Sequence, residues 1–404
     1  MGPLAGLRVV EIFGMGPGPF CGMMLSDMGA DVLRVDKPSD VGILRYDLGA
    51  IEGREPQFVN HRGRRSIAVD LKRAEGAETV LRLVERADAL FEGYRPGVCE
   101  RLGIGPDDCL ARNPRLVYGR MTGWGQDGPW KMVAGHDIDY LALSGMLAAI
   151  GPAGGPPTVP LTLLGDMAGG LFLAFGIACA LLEARRSGKG QVVDAAMLDG
   201  AALLGSMFYG LRQLGQWNIE RGANAFDGGA PFYSTYEAAD GEWVAVGAIE
   251  AKFFAALLQG LGIAADEIGE QWDRDSWPAT RRRFEAQFRT RPRDEWVARF
   301  KNLDACFAPV LTMDEALGHD HNRGRGLFVE HDGVKQPAPA PRFSRTEARI
   351  AGPAAMAGEH TEEALADWGF DASEIAALQE RDVIVGLDRE AAGLSGSAHV
   401  QEIE

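Results

Sequence analysis

The sequence predicts an α/β protein: a large domain with a parallel sheet under helices, and a smaller α+β domain in the middle of the chain. Three observations lead there. Short β-branched runs alternate with stretches of helical period through the first half, the pattern changes after about residue 204 to a hairpin followed by amphipathic helices, and a Pro-rich segment then carries the chain onward. At 404 residues, 46% hydrophobic and 24% charged, the chain is long enough for two or three cores and too apolar for general disorder.

The strand-like runs are "LRVVEI", "DVLRVD", "ADALFEG", "RLVYGRM" and "QVVDAAML", and helical segments such as "GAETVLRLVERA" separate most of them. Strands alternating with helices pair in parallel and bind ligands beyond their carboxyl ends. Residues 1–204 are therefore assigned to the first part of the large domain and 205–227 to a linker. "PFYSTYEAADGEWVAVGA" reads as two strands joined around Asp240-Gly241, and "AKFFAALLQGLG" and "ATRRRFEAQF" follow as helices, which makes 228–326 the small domain. "VKQPAPAPRFS" makes 327–345 an extended linker back to the large domain, to which 346–404 belong. The polar end, "LDREAAGLSGSAHVQEIE", is expected to fray.

A net charge of −16 without any Lys/Arg-rich block argues against nucleic acid as a partner. Cys21, Cys99, Cys109, Cys179 and Cys306 are odd in number, scattered and never paired as CxxC. That pattern points to a reducing, cytoplasmic setting and to no structural metal. The chain enters a strand pattern at once, with no basic-then-apolar leader. Its most apolar run, "MAGGLFLAFGIACALL", is sixteen residues long and is followed directly by Glu183 and Arg185, so a buried helix is expected and no membrane.

"FGMGPGPFCGMML" lies between the first strand and a second one ending at Asp36, with Gly14, Gly16 and Gly18 clustered in it. The order is that of a dinucleotide-binding turn, but Pro19 or Cys21 falls where the third glycine belongs, and the spacing argues against NAD. His136, in "VAGHDIDYLALSG", opens a helical stretch after the loop "MTGWGQDGPW". A helix N-terminus suits an anion and keeps imidazole neutral, the form of a general base; a helix cap or core partner is the competing reading. Asp166, in "PLTLLGDMAGG", is either an N-cap or a carboxyl whose apolar setting raises its pKa toward proton transfer. Glu250 follows "WVAVGAI" at a strand end, where solvation is the default. No GxSxG elbow and no metal-ligand spacing occurs.

Taken together, "GLRVVEIFGMGPGP", "LFEGYRPGVCERLG", "RMTGWGQDGPW", "AGHDIDY", "LLGDMAGG", "GKGQVVDAAMLDG" and "DGGAPFYSTYEAADGEWVAVGAIE" resemble the family III CoA-transferases (CaiB/BaiF type), and within them the α-methylacyl-CoA racemase branch. The resemblance spans residues 3 to about 345. It implies a Rossmann-like large domain made from both chain ends and an interlocked homodimer, with active sites where one subunit's large domain meets the other's small domain. The glycine turn is then similar to the family's loop near CoA. Lys37 stands where racemase relatives carry an Arg toward CoA phosphate, keeping the charge and losing the fork. Further CoA contacts implied are Val69, Asp70, Leu71 and Lys72; Gly93, Tyr94 and Arg95; Arg101; and Gly135, Asp137, Ile138, Asp139 and Tyr140. An acidic protein needs a local basic patch for an anionic ligand, and Arg62, Arg64, Arg65, Lys72, Arg95 and Arg101 are the candidates, with ordinary surface charges as the competing reading.

The chemistry implied is removal of the proton next to a thioester carbonyl and its return on the opposite face. His136 and Asp166 would be the two acid/base groups, the partner subunit's Glu250 would orient the imidazole, and backbone N–H groups near helix ends would hold the enolate oxygen. No metal and no cofactor beyond the CoA of the substrate is implied. The alternative is a CoA transferase in which Asp166 attacks an acyl-CoA and carries the acyl group as an anhydride. "GHD" argues for the racemase. A non-catalytic acyl-CoA or nucleotide binder is a third possibility. Met15, Met132, Met146 and Met167 suit varied acyl tails or plain core.

Overall fold

In the computed structural model, which describes residues 2–46, 49–51 and 57–388, fourteen strands follow one another along the chain. They are β1 (Arg8–Ile12), β2 (Asp31–Asp36), β3 (Leu44–Tyr46), β4 (Gly49–Ile51), β5 (Arg65–Val69), β6 (Ala89–Glu92), β7 (Val117–Thr122), β8 (Gln191–Ala196), β9 (Tyr233–Glu237), β10 (Trp243–Gly247), β11 (Phe307–Pro309), β12 (Phe328–His331), β13 (Val334–Pro337) and β14 (Ile384–Val385). Of the end expected to fray, residues 387–404, Leu387 donates its N–H to Gly358 O at 3.0 Å, and 389–404 lie outside the described residues.

Two units build the chain. The first consists of residues 1–140, 162–201 and 327–404 and contains a seven-stranded sheet in the order β14-β5-β2-β1-β6-β7-β8. Six of its strands are parallel, and β14 runs antiparallel to β5, with Ile384 opposite Val69. Counted in chain order, the parallel strands stand 3-2-1-4-5-6, the doubly wound arrangement that the alternating pattern predicts. Neighbouring residues of β1 serve opposite faces: Val9 joins a core with Leu25, Phe91, Leu173 and Ile177, whereas Val10 joins one with Val80, Leu83, Ile104 and Trp368. In helix Ala74–Val84, Ala77, Val80 and Val84 recur at helical spacing and are buried together.

The second unit, residues 141–161 and 202–326, is an antiparallel sheet β11-β10-β9 backed by helices Ala251–Leu261, Trp277–Phe288 and Arg293–Phe300. Its core gathers Phe232, Tyr236, Val244, Leu257, Phe284, Phe288 and Trp296. The hairpin around Asp240-Gly241 pairs Trp243 with Glu237. Boundaries differ from those read in the sequence. Residues 141–161 group with the second unit, 205–227 contain helix Ser206–Gln213 instead of a bare linker, and the segment read as an extended return holds the hairpin β12–β13.

Charges are buried inside the first unit. Arg64, 3% exposed, meets both Glu11 oxygens at 3.0 Å and the carbonyls of Pro19, His61 and Asn60. Arg62 holds Asp27 at 2.5 Å, and Arg34 holds Asp36 at 2.7 Å. Arg65 pairs with Asp31 and Asp367. Burial raises the Glu11 carboxyl above its ordinary range and lowers the Arg64 guanidinium, so each charge persists through its partner.

Arg64→Met is expected to cost about 3–5 kcal/mol because it strands the Glu11 charge, while the double substitution Glu11→Met with Arg64→Met costs less than that single change; denaturant unfolding measures both. Glu92, at the end of β6, accepts from the Tyr94 N–H and from Arg120, and burial pushes its carboxyl up to about 7. The folded chain keeps that proton to about pH 7, whereas the unfolded chain releases it near 4.5. Folded protein therefore binds more protons across that window, and stability falls as pH rises through it. Glu92→Gln should flatten this slope in a Tm-against-pH comparison.

Candidate active site

Strand order reverses between β1 and β6, the place where doubly wound sheets open a ligand crevice beyond the carboxyl ends of their strands. The loops that follow β1 and β6 approach each other there: a Cβ on Gly14 would lie 3.9 Å from the Gly93 Cα. Gly16 has φ +73°, a left-handed turn that glycine adopts at low cost, and Pro17 starts helix Pro17–Asp27 directly after it. Asp166 packs onto this turn: a Cβ on Gly16 would stand 3.6 Å from its Oδ2.

Asp166 is half-buried in a wide π-turn, Leu163–Met167, that leads into helix Ala168–Ser187. No side chain of Thr162 or Met167 caps that helix. The cap comes from Asp137, 3% exposed, whose Oδ2 accepts the N–H of Gly165 at 2.6 Å and of Asp166 at 2.8 Å. Asp137 adjoins His136, so one carboxylate ties the backbone of the histidine to that of the aspartate. The structure thus brings the two sequence-predicted acid/base residues to one place.

His136 stands at the start of helix Asp137–Leu143, where its N–H is accepted by Asp139 Oδ2 at 2.9 Å and its carbonyl accepts from Asp139 and Tyr140. Capping is done by the Asp139 side chain on the histidine backbone. The His136 side chain is exposed and makes no hydrogen bond among the described residues, which removes the capping reading. The loop before it is anchored by aromatic rings: the Trp124 indole donates to Val133 O at 3.0 Å, Tyr140 stacks edge-on against Trp124, and the Tyr140 hydroxyl donates to Gly135 O. Burial pushes that phenol up to about 12. Tyr140 and Gly135, implied as CoA contacts, are thereby occupied in shaping the loop, while Ile138 and Asp139 are exposed.

The remaining implied CoA contacts lie at the carboxyl ends of β2, β5 and β6. Lys37, Lys72, Arg95 and Arg101 are exposed and form no ion pair among the described residues. Val69 is sealed in the core, Asp70 accepts the Lys72 N–H, Leu71 packs at the core margin, and Tyr94 is half-buried beyond Gly93. Arg62, Arg64 and Arg65 are withdrawn from the predicted patch by the ion pairs described above. Asp36 is likewise engaged, by Arg34 and by the Ser66 hydroxyl, and is not presented as a ribose acceptor would be. Asp137, implied as a ligand contact, turns its side chain inward.

Glu250 is exposed in the second unit, directly before helix Ala251–Leu261. Met15 and Met132 are exposed, and Met167 receives the Asn60 amide at its sulfur. Among the described residues no group of three His, Cys, Asp or Glu is placed to hold a metal. Gly165 is the residue sequence reasoning missed: a Cβ there would come within 2.5 Å of Asp137 Oδ2. Its signal was a glycine immediately before the candidate aspartate in "LLGD".

Comparison with known proteins gives the geometry a lineage. The alpha-methylacyl-CoA racemase of Mus musculus is 46% identical over 397 residues, which cover 97% of this chain and 100% of the mouse protein. A succinyl-CoA–D-citramalate CoA-transferase of Chloroflexus aurantiacus is 31% identical, covering 95% of this chain and 98% of that protein. The crystal structure of a CaiB/BaiF family protein from Brucella suis superposes with a TM-score of 0.75 at 26% identity, covering 91% of this chain and 99% of that one. With the profile of CoA-transferase family III matching residues 4–361, the chain belongs to that family.

Proposed function

We propose that the protein is an isomerase, a racemase that inverts the α-carbon of 2-methylacyl-CoA thioesters by two-base proton transfer through an enolate. The observation that carries this reading is the hydrogen-bonded bridge through Asp137 that joins the backbones of His136 and Asp166, and the 46% identity with a named racemase supports it. One of the two groups removes the α-proton while the other, on the opposite face, delivers one; the roles exchange for the other epimer. A single base tends to return the proton to the face it left, which is why inversion is served by two.

The enolate oxygen needs donors. Amides of Gly165 and Asp166 are already taken by Asp137. The N–H groups of Asp137 and Ile138, which meet no acceptor among the described residues, are left for it. Lys37, Lys72, Arg95 and Arg101 serve the CoA phosphates, giving an acidic protein a local cationic rim. The partner subunit's Glu250 is taken to orient the imidazole.

The same reading makes the protein a cytoplasmic homodimer that needs no metal or NAD. Helix Ala168–Ser187 is apolar enough to span a bilayer, yet Leu173, Ile177 and Leu181 lie in the sheet core. Its other face leaves Leu171, Phe175 and Leu182 exposed by 48%, 66% and 73%, which favours coverage by a second copy.

The rival is acyl transfer with Asp166 as nucleophile, favoured by the transferase relative at 31% identity. One epimer of a 2-methylacyl-CoA incubated in deuterated water separates the two: the racemase epimerises it with deuterium at the α-carbon, and the transferase exchanges acyl groups only when a carboxylate acceptor is added. His136→Ala and Asp166→Ala should each lower epimerisation by about 100-fold or more while the fold and dimer persist in sedimentation. Each variant should still exchange the α-proton of one epimer only. Turnover near the wild-type rate in both variants defeats the two-base assignment.

A further inference from the structure

We infer that Asp137 is a positioning residue of this reaction, holding the turn that presents Asp166 in register with His136. This rests on the two-base reading above. Its side chain is enclosed to 97%, as its 3% exposure implies, and one oxygen takes two backbone N–H groups at 2.6 and 2.8 Å. Those groups belong to the first turn of a helical run extending from Leu163 to Ser187, whose own flanking residues offer no side-chain cap. A helix start leaves four N–H groups without intrahelical partners, and a carboxylate there satisfies them and favours the dipole.

What distinguishes this cap is its origin. It reaches Gly165 and Asp166 from 28 and 29 residues earlier in the chain, and from the position adjoining His136. The second oxygen, Oδ1, is buried and finds no donor among the described residues, so the hydrogen bonds this carboxylate makes all go to the helix start. Gly165 completes the fit. A Cβ at that position would meet Asp137 Oδ2 at 2.5 Å, the Cγ at 2.8 Å and the Cα at 3.1 Å, so the two chain segments approach closely because residue 165 lacks a side chain. The separation of the two proton-transfer groups is therefore fixed by one short side chain and one glycine, and proton transfer is sensitive to displacements of about 1 Å.

The test is steady-state kinetics and deuterium wash-in from each epimer with Asp137→Ala, Asp137→Asn and Gly165→Ala, at a temperature well below the melting point of each dimer. Asp137→Ala should lower kcat by about 10- to 100-fold with KM changed little. Asparagine keeps an acceptor without the charge and should restore part of the rate. Gly165→Ala, which displaces the carboxylate from the other side, should give the same signature and serves if Asp137→Ala does not fold. Wash-in to the recovered epimer whose proton goes to Asp166 should fall more than wash-in to the epimer served by His136. Equal losses from both epimers, or an unchanged kcat in all three variants, overturn the inference. Failure of the two-base reading is recognised separately, by retained turnover in His136→Ala and Asp166→Ala.

Discussion

The reversal of strand order between β1 and β6 is the constraint from which the site follows. To one side of it the chain leaves β1 into helix Pro17–Asp27, which sends Cys21 and Leu25 into one core; to the other it leaves β6 into helices Val98–Arg101 and Pro106–Arg112, which send Cys99 and Cys109 into the opposite core. The two loops must therefore diverge, and the opening above them receives ligands in doubly wound sheets whatever the chemistry. Here the glycine turn after β1 meets Asp166, and Arg95 of "GYR" stands exposed after β6. Asp36, at the place where a dinucleotide-binding turn presents its ribose acceptor, is locked inside by Arg34 and Ser66.

Five strands of the main sheet were legible because each is a β-branched run bounded by turn residues. β5 was not, since "RSIAV" emerges from the cluster Arg62, Arg64 and Arg65, which reads as surface. Whether an arginine faces water or a carboxylate is decided by partners such as Glu11 and Asp27, tens of residues away, and composition carries no trace of them. The unit boundary at residue 140 was equally hidden, because it falls inside helix Asp137–Leu143 with no Gly, Pro or Ser run to mark it.

At the site, "AGHDIDY" and "LLGDMAGG" were readable as a pair through resemblance, and the structure supplies what resemblance did not: the bridge between them. An acid after a helix-opening histidine looks like a cap for its own helix. That duty falls to Asp139, and Asp137 serves a different helix. The sequence offered capping for His136 and Asp166 and named Asp137 and Asp139 only as implied CoA contacts, since hydrogen bonds between segments 28 residues apart are a property of the assembled fold.

The pairing of β14 with β5 joins residues 384 and 69, which are 315 positions apart. At about 5–20 residues per second, a ribosome needs roughly 15–60 s to make the intervening chain. Throughout that interval the outer rim of β5 exposes unsatisfied N–H and C=O groups, the kind of template on which nascent chains join one another. Closing that edge therefore waits on a two-residue strand from the far end of the chain, which seals β5 beside its carboxyl end.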